Sequence, residues 1–240
     1  MIVAIDAGNS RLKWGLHDGA GWLARGILAT ADVAWLSEAA EEWPVDARVV
    51  VCNVAGARIG NEIQALLGKR HRDIHHFIAT ADCCGVTNGY ENPRQLGADR
   101  WAALLGARGL TEAACLVVCA GTATTADLLT AEGYFQGGII LPGFDLMRAA
   151  LAGNTAQLPL AEGSFHDKPR RTMDAIVSGC LQAQLGAVER MYANIAVATS
   201  DSVCLLTGGA AARMLPHLSI PARLEENLIL DGLVRYGAAI

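Results

Sequence analysis

Apolar and polar positions along this chain change period at recurring points. Ile2 to Ile5 (IVAI) is a short β-rich run, followed by the polar turn Asp6-Ala7-Gly8-Asn9-Ser10 and then by RLKWGL, a second run of alternating character. A run, a tight glycine-containing turn and a second run predict a β-hairpin. The same succession recurs 113 residues later as CLVV (Cys115 to Val118), Cys119-Ala120-Gly121-Thr122-Ala123 and TTADLL. A glycine–aromatic pair opens a further strand-like run after each hairpin, Gly21-Trp22-Leu23 in the first half and Gly133-Tyr134-Phe135 in the second. Two short hairpins can look alike by chance, but a duplicated domain also accounts for the order of the elements, and the repeat is too long for a solenoid.

Helical spacing fills the remainder of each half. Ala31 to Glu42 carries apolar residues near helical spacing before Pro44 stops it, Arg58 to Leu67 reads as a second helix, and Gly97 to Arg108 as a third, setting Trp101, Leu104 and Leu105 among small residues. In the second half Thr172 to Ala198 predicts one long helix or a helix pair, Ala210 to Leu215 a short helix and Asn227 to Ala239 a closing one. Val49 to Val54 and Val203 to Thr207 read as buried strands. Strands alternating with helices make an α/β protein. No low-complexity linker separates the halves, so the repeat itself sets the expected domains at 1–114 and 115–240.

Composition narrows the class. With 52% hydrophobic and 18% charged residues over 240 positions, the chain can bury a sizeable core and is not a disordered protein. The net charge is −5, and the densest basic stretch, Lys69-Arg70-His71-Arg72, has Asp73 beside it. It reads as a solvated face, with no nucleic acid as partner. The N-terminal apolar run is too short for a signal peptide and lacks a basic region before it, and no stretch reaches the ~18 apolar residues of a membrane span. Seven cysteines, an odd number with no CxxC pair and one vicinal pair at Cys83-Cys84, are expected as reduced thiols of a cytoplasmic protein. His71, His75 and His76 invite a metal reading, but no second cluster has ligand spacing, and a surface or loop role is expected for them.

Candidate chemistry lies in the glycine turns. A glycine lets backbone approach a ligand, and successive turn N–H groups form a donor nest for phosphate oxygens. Asn9 and Ser10 add side-chain donors, Lys13 a point charge, and Asp6 at the strand end is placed to hold Mg²⁺ directly or through water. Gly121-Thr122-Ala123-Thr124-Thr125 offers a second nest with three hydroxyls, and Thr207-Gly208-Gly209-Ala210 a third glycine site between a strand and a helix. Glycine turns after strands are commonplace singly; three in this arrangement suggest a phosphotransfer clamp. Neither a Walker-type motif nor the protein-kinase signature set occurs. For the proton of an attacking hydroxyl the candidate acceptor is Asp99 in LGADRW, with Arg100 as a donor fork. From local pattern alone a helix N-cap is the plainer reading of Asp99, ahead of the catalytic one, and Arg100 reads likewise as an ordinary surface arginine.

Taken together these stretches resemble the type III pantothenate kinases, a family related to the Bvg accessory factors. IDAGNSRLKWGL is similar to that family's phosphate hairpin, LGADRW to its Gly-Ala-Asp-Arg motif, and AGTATTADLL, GGIILPGFDLMRAAL, NTAQLP, RRTMDAIVSG and TGGAAARML follow in the family's order. The resemblance runs from residue 2 to about residue 236. It implies two duplicated ribonuclease-H-like domains of the actin-like and sugar-kinase superfamily with an interdomain cleft. It implies phosphoryl transfer from ATP to pantothenate, the first step of coenzyme A biosynthesis, in a cytoplasmic homodimer. By position it makes Asp99 the proton acceptor. Asp6, Ala7, Gly8, Asn9, Ser10, Arg11, Leu12 and Lys13, with Gly121, Thr122 and Thr124, would hold ATP and its Mg²⁺. Tyr90, Gly97, Ala98, Arg100 and Thr172 would contact pantothenate, Thr172 reaching the neighbouring subunit's site; the plainer reading of Thr172 is a helix N-cap. Cys119 stands where the family commonly has an aspartate tied to a bound NH₄⁺ or K⁺, and a neutral thiol is a poor ligand for a hard monovalent cation. Other sugar and acid kinases share the fold, and some relatives act as accessory factors in virulence-gene regulation, so acceptor and role are not fixed by fold alone.

Overall fold

The computed structural model describes residues 1–160, 162–196 and 201–240. Two compact units emerge, one of Met1–Glu112, Glu132–Phe135 and Asn227–Ile240, the other of Ala113–Ala131 and Gln136–Glu226.

The first unit is built on the first expected hairpin. β1 (Ile2–Ala7) and β2 (Arg11–His17) pair antiparallel with Asp6 opposite Lys13, and β3 (Trp22–Ala29) extends the meander. β4 (Arg48–Asn53) lies parallel to β1 and β5 (Ile74–Phe77) parallel to β4, giving the order β3-β2-β1-β4-β5. The expected helix over Ala31 to Glu42 is instead a 3₁₀ segment, Thr30–Trp35, running into α1 (Leu36–Glu41). Asp32 leaves the helical region at φ −100°, ψ 26°, and the spacing of the buried Val33, Leu36 and Ala40 serves the broken path as well as a continuous helix. α2 (Ala57–Leu67) turns Ile59, Ile63 and Leu67 inward against Val3, Ile5, Val49 and Val51.

Two short strands, β6 (Asp82–Cys83) and β7 (Val86–Asn88), precede α3 (Ala98–Leu110), whose residues Arg100 to Ala107 are all buried. The closing helix packs on α3 through two glycines. On Gly106 a Cβ would overlap the carbonyl oxygen of Leu228, and on Gly232 a Cβ would overlap that of Ala102, so these helices meet backbone to backbone. Gly232→Ala is therefore expected to overpack this contact by about 1–3 kcal/mol. Thermal unfolding checks it, through a Tm lowered by about 2–12 °C at unchanged fold.

The second unit repeats the scheme. β8 (Cys115–Ala120) and β9 (Ala123–Leu129) form the second hairpin, with Cys119 opposite Thr125, and β10 (Tyr134–Pro142) follows. The first two residues of β10 belong to the first unit, where Tyr134 and Phe135 pair with Thr87 and Asn88 of β7. After α4 (Phe144–Asn154) and α5 (Thr172–Ala196), β11 (Val203–Thr207) runs parallel to β8. α6 (Ala211–Met214) and β12 (Ala222–Leu224), parallel to β11, complete it, and α7 (Leu228–Ala239) is the closing helix that packs on α3 in the first unit. Residues 197 and 198 of the expected long helix lie outside the described residues.

The order β10-β9-β8-β11-β12 repeats β3-β2-β1-β4-β5 strand for strand. The offset of 113 residues carries Ile2 onto Cys115, Asp6 onto Cys119 and Gly8 onto Gly121. The turns differ by one residue: Gly8 N–H bonds to the Arg11 carbonyl in the first, Gly121 N–H to the Ala123 carbonyl in the second, both near 3 Å. One element goes against the sequence reading of the histidines. His71 is only 2% exposed, beside the buried Trp43, because the chain after α2 turns it inward from the charged run. His75 and His76 lie on β5 and stay at least partly exposed.

Candidate active site

In the first unit Asp6 is the penultimate residue of β1, with Lys13 across the antiparallel pair and Cys52 across the parallel one. Its side chain is almost wholly buried. Burial, with the nearby charge of Asp99 adding to it and Lys13 opposing it, pushes the Asp6 carboxyl from 3.8 up to about 7. Asp6 and Asp99 are thus brought together although 93 residues separate them in sequence. The Cys52 thiol, fully buried alongside, is pushed well up by burial and by the same two carboxylates, and stays a neutral spacer.

α3 aims Asp99. Gly97 occupies the N-cap position with no side chain to cap it, so Asp99 is the second residue of the helix and not its cap. A carboxylate there sits near the positive end of the helix dipole, and its Oδ1 accepts from the Arg100 N–H at 2.9 Å. A Cβ on Gly97 would come within 2.7 Å of that same Oδ1, so the glycine leaves the carboxylate room.

Arg100 is 4% exposed and not a surface residue. Its Nη1 donates to the Tyr90 hydroxyl at 2.9 Å, and its guanidinium lies over the rings of Tyr90 and Phe135 at 5.7 and 5.9 Å. Tyr90 in turn is held by Asn88, which sequence reading missed. The Asn88 Nδ2 donates to the carbonyls of Thr80 and Pro93, at 3.1 and 3.2 Å, and its Oδ1 accepts from Tyr90 N–H at 3.1 Å. The first unit thus gathers Asp6, Lys13, Asp99, Arg100 and Tyr90. Gly8, Asn9, Ser10 and Arg11 form the adjoining turn, Asn9 to Arg11 exposed. Ala7 and Leu12 are buried beneath it, and Ala98 is the first residue of α3.

The second unit gathers a second set. Gly121 and Thr122 are exposed at the β8–β9 turn, and Thr122 carbonyl accepts from Gly143 N–H at 2.9 Å. Behind the turn the Ala120 carbonyl accepts from Ala210 N–H at 3.0 Å. Gly208, at φ +101°, is the residue that lets the β11–α6 loop pass: a Cβ there would overlap the Ala120 carbonyl. Thr124 is 1% exposed, and its hydroxyl and that of Thr125 have no hydrogen-bond partner among the described residues. Buried hydroxyls so placed are ready to bond a ligand or water. Thr172 belongs to the same unit. It is exposed, opens α5, and rims an apolar cavity of about 730 Å³ that Met147, Leu151 and Ile176 help to line. It is a helix residue and not the N-cap, since the carbonyl before it already accepts from Ala175 N–H at 2.8 Å.

The donor set suits Mg²⁺. Asp6 is a buried carboxyl with a second carboxylate, Asp99, near it, and Mg²⁺ is commonly held by one or two carboxylates plus phosphate oxygens. No group of three or more acidic, histidine or cysteine side chains gathers among the described residues, so the remaining ligands would come from phosphate and water.

Comparison with known proteins decides the family. Residues 2–194 match the family model described as type III pantothenate kinase. The chain belongs to that family. A type III pantothenate kinase from Aromatoleum aromaticum is 56% identical over 236 residues, covering 97% of this chain and 96% of that one. Among solved structures, an inorganic polyphosphate/ATP-glucomannokinase from Arthrobacter superposes with TM-score 0.51 at 15% identity, covering 99% of this chain and 98% of that one. MreB5 of Spiroplasma citri, bound to ADP, does so with TM-score 0.54 at 9% identity, covering 96% and 94%. The type III kinase chain therefore shares the fold of these proteins, a mixed α/β fold in which one strand order occurs twice. No described helix is long and apolar enough to cross a membrane.

Proposed function

We propose that this chain transfers the γ-phosphoryl group of ATP to the primary hydroxyl of pantothenate, giving 4′-phosphopantothenate, the first step towards coenzyme A. The observation that carries the reading is the gathering of Asp6 and Asp99 in one unit, on the two motifs IDAGNSRLKW and LGADRW, in a chain of this family. Phosphoryl transfer asks the protein chiefly to position and to neutralise. Asp99 accepts the hydrogen bond of the attacking hydroxyl and takes its proton as the new O–P bond forms and the bond from the γ-phosphorus to the departing ADP oxygen breaks. Arg100, made rigid by Tyr90 and Phe135, presents its fork to the acceptor's carboxylate, and Gly97 and Ala98 keep the start of α3 open beside it. The turn from Asp6 to Lys13 and the turn at Gly121, Thr122 and Thr124 bind the nucleotide's phosphates. Asp6 would hold Mg²⁺ together with the phosphates, and the ion would supply neutralisation of their negative charge.

The reading extends to finer parts. The enzyme works in the cytoplasm as a homodimer in which Thr172 completes the neighbouring site; the exposed Thr172 on the rim of an apolar cavity supports this. The duplicated domains are 1–114 and 115–240, with α7 exchanged onto the first unit. The family's NH₄⁺ or K⁺ site is altered, because Cys119, the repeat partner of Asp6, offers a neutral sulfur opposite Thr125. Titrating activity against K⁺ and NH₄⁺ is expected to give weak or no activation, and saturable activation at low millimolar concentration would refute this.

The acceptor is tested by incubating the enzyme and Mg-ATP with pantothenate mixed with hexoses and sugar acids, and weighing the products by mass spectrometry. Phosphorylated pantothenate as the dominant product is the expected result; a phosphorylated sugar in its place would reassign the substrate.

A further inference from the structure

Thr30 opens the 3₁₀ segment after β3 and is 5% exposed, beneath a turn whose Asn9, Ser10 and Arg11 face solvent. It touches that turn twice. Its hydroxyl donates to the Gly8 carbonyl at 2.6 Å, and its backbone N–H donates to the Ser10 carbonyl at 3.1 Å. The Gly8 N–H is itself committed to the Arg11 carbonyl at 3.1 Å.

A peptide unit is planar and trans, so its C=O and N–H point in opposite directions. The Gly8 carbonyl and the Asn9 N–H belong to one such plane. Drawing that oxygen inward to the Thr30 hydroxyl turns the Asn9 N–H outward, towards the exposed side of the turn. Glycine at position 8 offers little resistance to a flip of this plane, so the hydroxyl has a conformer to select. A flipped plane would present a carbonyl oxygen where a phosphate oxygen has to sit.

We infer that Thr30 is a positioning residue for phosphate binding: its hydroxyl fixes the Gly8–Asn9 peptide so that the Asn9 N–H donates to a phosphate oxygen of the nucleotide. The inference rests on the reading of the β1–β2 turn as a phosphate cradle. It adds a residue outside the hairpin, one that never meets the nucleotide.

The test compares Thr30→Val, which keeps the branched shape and loses the hydroxyl, with Thr30→Ser, which restores it. Thr30→Val is expected to raise the KM for Mg-ATP by roughly tenfold, the scale of one charge-assisted hydrogen bond, with the KM for pantothenate within about twofold. Thr30→Ser is expected to return the Mg-ATP value to near wild type. Folded Thr30→Val with an unchanged KM for Mg-ATP, or with both KM values raised alike, overturns the inference. Lys13→Met separates the two levels. If it too leaves Mg-ATP binding unchanged, the cradle reading itself fails; if it weakens binding while Thr30→Val does not, only the role of Thr30 fails. Should Thr30→Val not fold, the wild-type Asn9 amide decides. Its ¹⁵N–¹H resonance is expected to shift when Mg-ATP is added and not when adenosine is added, and the same response to both overturns the inference.

Discussion

Asp99→Asn is expected to lower kcat by about 10²–10⁴, the span typical of losing a general base, while the affinity for Mg-ATP changes little. The substitution keeps the size and the hydrogen-bonding outline of the side chain. Its Oδ1 can still accept from the Arg100 N–H, so α3 and the Arg100–Tyr90 contact remain in place. What is lost is a group able to take the hydroxyl proton. Single-turnover and steady-state rates, with nucleotide affinity measured separately, check this. A variant retaining more than about a tenth of wild-type turnover would remove Asp99 from the mechanism.

Asp6 gives the second large effect, and it has opposite signs for stability and for binding. Its carboxyl is raised from 3.8 to about 7 in the ligand-free protein. Between those values the folded chain holds a proton that the unfolded chain has released. Its contribution to stability is therefore full at low pH and is lost as pH rises through about 7. His71 acts the other way: burial, with Arg70 adding to it, lowers its basicity, so its contribution is present above 6.5 and fades as pH falls below that. The window from about pH 6.5 to about pH 8 therefore separates the loss at Asp6 from the effect of His71. Across it the Tm of ligand-free wild type is expected to fall. Asp6→Asn is expected to flatten that fall and to be the more stable protein at about pH 8, by on the order of a few kcal/mol.

Binding runs in reverse. Mg-ATP needs the ionised Asp6, so wild-type affinity is expected to drop by about tenfold per unit as pH falls below about 7, with close to one proton released on binding. Asp6→Asn is expected to bind Mg-ATP at least ~10-fold more weakly at neutral pH. Calorimetry in buffers of different ionisation enthalpy measures the proton directly. A pH-independent affinity with no proton released would mean that Asp6 does not meet the metal–nucleotide complex.

Much of this arrangement could be read in the sequence because it is written locally. The two hairpins announce themselves through alternation and glycine turns, and α2, α3, α5 and α7 through helical spacing. The duplication then follows from order alone, and the shared strand order of the two sheets bears it out. Features made by long-range contact left no such trace. The closeness of Asp6 and Asp99 exists only once α3 packs on β4, the strand that pairs with β1. Arg100 could have been a surface residue until Tyr90 and Phe135 closed over it. Thr30 and Asn88 act by side-chain bonds to backbone, which follow no period; the one available hint for Asn88 was its place just before the Gly89-Tyr90 turn. β5 was hidden by two consecutive histidines and β12 by its three-residue length. His71 was misread because a run of charged neighbours surrounds a residue that packs inward.

The central claim is that pantothenate is the acceptor of this kinase, and a coupled ADP-release assay with Mg-ATP and ammonium, run with and without pantothenate, tests it most directly. ADP release that depends on pantothenate and saturates with it is the expected result. Folded wild-type protein that releases no more ADP with pantothenate than without it would contradict the account.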